Sequence, residues 1–193
     1  MTASVQENAV PRLPAEQGVW MFVLGDLLVF ALFFATYLGY RAESTVQYAQ
    51  AQTSLNLALG TANTVCLLTS SWLMASAVKV ARERSALQAK PAIVVALLFG
   101  VLFLVGKITE YVQKGSSGIG AEETEFFMFY FVFTGIHFVH VLIGIVLLGV
   151  LAYSLKTPQI SERHLGLLEG GGVYWHMVDL LWIMLFTLFY LIH

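Results

Sequence analysis

The stretch that decides the fold runs from Glu169 to His193, Glu-Gly-Gly-Gly-Val-Tyr-Trp-His-Met-Val-Asp-Leu-Leu-Trp-Ile-Met-Leu-Phe-Thr-Leu-Phe-Tyr-Leu-Ile-His. From Val173 to Ile192 it is apolar and long enough to cross a bilayer, because roughly 20 helical residues cover a hydrocarbon layer of ~30 Å. Yet it carries His176 and Asp179, an imidazole and a carboxylate three residues apart and so on one helical face. Polar groups at that depth persist when they point at protein, water or a headgroup. A spanning helix with one polar face needs partner helices.

The rest of the chain supplies them. Of its 193 residues 58% are hydrophobic and 11% charged, where soluble domains carry about a quarter charged. This is the composition of an all-α integral membrane protein. A net charge of −2 gives nucleic acid no purchase, and the single Cys66 excludes a disulfide framework within the chain. Residues 1–16 read as an exposed tail, broken by Pro11 and Pro14, with no cleavable signal pattern, so the first span is expected to act as its own insertion signal. Residues 17–193 read as a single domain of five transmembrane helices, at about 17–40, 55–78, 92–113, 126–154 and 173–192. Residues 41–54 read as a polar loop, Pro91 as the end of the next loop, and Pro158 as the close of the fourth span.

Five spans put the termini on opposite sides. The N-terminal side collects Arg12, Lys79, Arg82, Arg84, Lys90, Lys156 and Arg163, whereas the other side has only Arg41 and Lys114. Positive loops stay in the cytoplasm, so the N-terminus is expected inside and the C-terminus outside.

Several polar residues fall within spans. In the second, Asn56, Asn63 and Ser70 recur every seven residues, with Thr64 and Ser71 beside them. Small hydroxyl and amide side chains of this kind join membrane helices. In the third, Lys107 and Glu110 stand i, i+3 and can neutralise one another near the outer face. His137 and His140 have the same spacing in the fourth and invite a metal reading. Three in-span histidines are too few for a His-ligated haem together with a copper site, and no Cys-x-x-Cys-His occurs. The stronger reading is that His137, His140 and His176 pack and hydrogen-bond within the bundle, and that the chain binds no metal. Asp26 and Asp179 lie about 10–14 Å deep. Each is either a proton-accessible group beside a water- or lipid-filled cleft, or a carboxylate tied to His176 or to a hydroxyl of the second span. No Gly-x-Ser-x-Gly or Ser/His/Asp order suggests an intramembrane hydrolase, and no internal repeat supports a transporter.

The motifs, taken in order, resemble subunit III of the haem–copper respiratory oxidases. They are Gly25-Asp26 followed by Phe30, Phe33, Phe34 and Tyr37; Ala62-Asn63-Thr64 running into Leu67-Leu68-Thr69-Ser70-Ser71; Thr109-Glu110-Tyr111; Thr134-Gly135-Ile136-His137-Phe138-Val139-His140 with Gly144; and Glu169 with Tyr174-Trp175-His176-Met177-Val178-Asp179 and Trp182. Two departures stand out: Asp26 where the family has glutamate, and Lys107 where it usually has glutamine. The chain is similar to the short, five-helix bacterial form, and its Glu16-Gln17-Gly18-Val19-Trp20-Met21-Phe22 looks like the branch encoded beside nitric-oxide reductases.

What the resemblance implies is a non-catalytic subunit of the bacterial plasma membrane, without haem or copper of its own. Those cofactors are expected in the catalytic subunit I it packs against. It further implies phospholipid held in a cleft between spans one–two and the other three, and support for proton uptake from the inner side during aerobic electron transport. Asp26, with Asn63, His137, His140, Glu169, His176 and Asp179, is the expected polar lining of that cleft or bundle. A nitric-oxide-reductase accessory subunit and, less readily, a free-standing transporter are the competing expectations.

Overall fold

The computed structural model describes residues 16–157 and 161–192. The tail expected over 1–15, Pro158 and His193 lie outside the described residues. Every regular element among the described residues is helical: α1 (Gln17–Glu43), α2 (Thr45–Gln52), α3 (Leu57–Glu83), α4 (Ala86–Ser116), α5 (Glu125–Ser154) and α6 (Glu162–Phe186), which runs into a π-helical turn over Thr187–Leu191. Five of them, all but α2, are long and apolar enough to span a membrane.

Three helices begin where a side chain can take an orphan amide. Asn56, Thr124 and Ser161 cap α3, α5 and α6 by accepting from the backbone N–H of Leu59, Phe127 and His164. The end of α4 is set by Gly118. Its φ of +76° admits the left-handed turn in which the Ile119 N–H bonds Lys114 O and the Gly118 N–H bonds Gly115 O.

Three elements depart from the sequence expectation. The segment 41–54 is not a loop throughout, since α2 folds back there and buries Tyr48 and Gln52. α4 starts at Ala86 and takes Pro91 inside, in its second turn, where one lost backbone bond near the membrane surface is tolerated. α6 starts at Glu162, not near Val173, so Arg163 and His164 belong to its first turn and Gly170-Gly171-Gly172 to its interior. Glycine is a poor helix former in water, but between membrane helices it permits close approach. A Cβ on Gly171 would strike the Leu151 side chain of α5, and one on Gly172 would crowd Val78 of α3.

α6 is the axis of the bundle. It packs on α3, α5 and α1, and 67% of its apolar stretch is buried, against 17% for α1. Trp175 marks its deepest point, fully buried between α4 and α5. Its ring occupies space left by Gly100 and Gly144, where any Cβ would overlap it. α3 and α4 form the most extensive helix pair, with Asn63 filling the notch at Gly106. The peripheral α1 is held by rings. Phe33 stacks on Phe133 at 5.2 Å, and Tyr37 meets Phe189 edge-on at 5.0 Å.

This arrangement does not divide spans one and two from the other three. α3 belongs with α4 and α6, and the looser member is α1.

Candidate functional site: two buried charge pairs and a polar seam

The seam between α3 and α6 is built from the polar stripe of α3. The Ser70 hydroxyl donates to Ala96 O of α4 at 2.6 Å and accepts from the Trp175 indole at 3.0 Å. Thr64 accepts from the Trp182 indole at 3.0 Å, and Ser71 Oγ lies 2.6 Å from His176 Nδ1. Asp179 is buried beside this seam with neither carboxylate oxygen hydrogen-bonded. Asn56, grouped with this stripe by spacing, caps α3 instead.

The first charge pair lies within α4. Lys107 and Glu110 are both 1% exposed. Lys107 Nζ donates to Glu110 Oε2 at 2.8 Å, to Tyr130 Oη at 2.9 Å and, at the limit of reach, to Tyr190 Oη at 3.5 Å. Tyr190 donates to the other carboxylate oxygen at 2.6 Å and lies 3.2 Å from the Tyr130 hydroxyl. The rings of Tyr130, Tyr111 and Trp182 stand 4.8, 5.1 and 5.2 Å from the ammonium. Every donor of the lysine and both oxygens of the glutamate are engaged, so the charge is contained. The tyrosines had no signal in the sequence. Tyr190 reaches Glu110 from the π-helical turn, whose widened ring is closed by Ile192 N–H on Thr187 O.

The second pair is looser. Asp26 of α1 sits 3.3 Å from His140 Nε2 of α5, with exposures of 16% and 15%. The contact is too misaligned for a hydrogen bond, so Asp26 Oδ2 has none. His140 Nδ1 lies 2.8 Å from Ile136 O, and a carbonyl can only accept, so Nδ1 carries a hydrogen. Nε2 and Oδ2 would then face one another as two acceptors unless a proton sits on one of them. Tyr174, which donates to His140 O at 3.0 Å, stands beside them.

From Tyr174 a groove of about 410 Å³ runs towards the N-terminal end of α1, lined by Gly18, Val19, Phe22, Leu147, Gly170 and Gly171 among others. A larger recess of about 800 Å³ opens at the opposite end of the bundle, between α2 and Glu122, Glu123 and Glu125, and touches none of these groups. There the Tyr48 hydroxyl is pushed up to about 12, by burial first and by Glu125 second.

The remaining candidates do not gather around Asp26. His137 points inward, fully buried, with Phe103 edge-on at 5.7 Å, Trp182 tilted at 5.4 Å and neither nitrogen hydrogen-bonded. Residues at i, i+3 diverge by about 60° around a helix axis, and that divergence sends His137 to the core and His140 to α1. Glu169 pairs with Arg82 at 2.6 Å across α3 and α6, and Arg82 is 56% exposed. Asn63 is buried, its amide nitrogen without a partner. Among the described residues no three His, Cys, Asp or Glu side chains are placed to hold a metal ion.

Fold and site together define a five-span helical membrane protein with two ion pairs inside the bundle. The family model for cytochrome c oxidase subunit III matches residues 6–193. Cytochrome c oxidase subunit 3 of Thermostichus vulcanus is 31% identical over 177 residues, 91% of this chain and 86% of that protein. The Synechocystis protein of the same name is 29% identical over 91% of this chain and 74% of its own length. Subunit 3 of the cytochrome bo(3) ubiquinol oxidase of Buchnera aphidicola is 24% identical over 90% and 84%. The chain belongs to the cytochrome c oxidase subunit III family.

Proposed function

We propose that this chain is the non-catalytic subunit III of a respiratory haem–copper oxidase in the bacterial plasma membrane, with its N-terminus inside and its C-terminus outside. It packs on the haem- and copper-bearing subunit I, holds phospholipid and supports proton uptake from the inner side during aerobic electron transport. The observation that carries this reading is the family match over nearly the whole chain, joined to a helical bundle with five spans.

The proton role rests on Asp26 and His140. They face one another 3.3 Å apart, and the loop charges support placing the N-terminal side of the bundle in the cytoplasm. The groove that ends at Tyr174 has the apolar lining and the size for an acyl chain. It lies between α1 and α6, so lipid is proposed there rather than between spans two and three.

Purification of the native complex tests the assignment. This chain should co-purify with a haem-bearing subunit and with the visible absorption of an oxygen-reducing haem–copper centre. Recovery without any haem-bearing partner would overturn it. The stretch Glu16–Phe22, which lines part of the groove, favours a second reading in which the partner reduces nitric oxide. Assaying the purified complex on oxygen and on nitric oxide separates the two.

A further inference from the structure

Seven acidic, basic or imidazole side chains lie well within the spans. Asp26, Lys107, Glu110, His137, His140 and Asp179 are buried or half-buried, whereas His176 is exposed. It is fifteenth of the thirty residues in Glu162–Leu191 and so at mid-depth. Around it α6 leaves a narrow uncovered stripe of His176, Leu180, Ile183 and Met184, at i, i+4, i+7 and i+8. The α3 edge beside it exposes Leu68 and Trp72.

The imidazole is half-satisfied. Nδ1 is engaged with Ser71 Oγ, which leaves Nε2 facing outward. Whichever group donates in the Ser71 contact, Nε2 needs a hydrogen-bond partner of its own. A lipid tail offers none, and an unmet polar group in hydrocarbon is costly. Protein supplies a partner at this depth, and a stripe at i, i+4, i+7 and i+8 is the pattern that one packed helix covers.

We infer that the His176 stripe is a docking surface for one transmembrane helix of another subunit, a helix that brings a hydroxyl or carboxamide side chain to His176 Nε2. The inference rests on the subunit reading above and names the surface through which it operates.

Photocrosslinking in the purified complex tests it, with a benzophenone side chain replacing the imidazole of His176. The expected product is an adduct to a spanning segment of another subunit, within one turn of a Ser, Thr, Tyr, Asn or Gln. Adducts to lipid alone, or to a second copy of this chain, would overturn it. A parent chain that purifies without a haem-bearing partner removes the subunit reading and this one with it. A haem-bearing complex with lipid-only adducts removes this one alone.

A second measurement separates docking from folding. Because His176→Leu also gives up the Ser71 contact, Ser71→Ala is its control: the two should affect unfolding of the isolated chain alike, but only His176→Leu should lower retention in the complex on detergent washing, by roughly three- to tenfold. His176→Gln, which keeps an acceptor, should recover most of that loss. Retention of His176→Leu equal to the parent, or equal loss in both His176 variants, would overturn the proposal.

Discussion

Lys107–Glu110 and Asp26–His140 answer one problem, charge in hydrocarbon, in opposite ways. The lysine pair is enclosed at 1% exposure and saturated by two tyrosine hydroxyls. The aspartate pair joins the least buried span to α5 through a single misaligned contact. A saturated pair fixes helices and gives up its proton to nothing nearby. A sparse pair adds little stability and leaves a carboxylate oxygen unbonded. The first pair reads as structural, and the proton role proposed above falls to the second.

The comparison breaks most readily at Glu110. Glu110→Leu alone strands a buried ammonium and should lower stability by about 3–5 kcal/mol. The double variant Lys107→Met/Glu110→Leu should recover most of that, because Tyr130 and Tyr190 already lie within hydrogen-bond distance of each other. Thermal unfolding in detergent measures both, and additive losses would dissolve the idea of a coupled pair. Tyr190→Phe removes one bond to the carboxylate and should cost about 1–3 kcal/mol in the same assay.

Asp26→Ala should change stability by less than about 1 kcal/mol, as expected for a part-exposed pair, while shortening sustained turnover or altering proton uptake of the complex. Turnover and uptake matching the parent across pH would remove the proton role. Smallest of all, Glu169→Gln should cost no more than about 0.5 kcal/mol, and less in high salt, since its partner Arg82 is mostly solvated. A large, salt-independent loss there would mean that the N-terminal side of the seam carries more of the fold than its geometry indicates.

Apolar run length made the five spans legible in the sequence, and the polar positions could be read one by one. Their partners could not. Spacing tells which residues share a face of one helix, as for His176 and Asp179, but not which helix that face meets. Hence Tyr130 and Tyr190 were invisible as partners of Lys107, and of the residues expected around Asp26 only His140 meets it. Helix starts were obscured for a related reason. Pro91 and Gly170–Gly172 are breakers in water, whereas here one is absorbed in an early turn and the others admit neighbouring side chains.

The indole of Trp175 between Gly100 and Gly144 has a consequence for assembly. The notch is formed by α4 and α5, both synthesised before the helix that fills it. Sliding α6 by one turn, about 5.4 Å, would carry the ring out of both hollows and part Trp182 from Thr64 at the same time. The helix α6 therefore works as a key. It seats at one depth only, and by seating it locks the earlier helices in place.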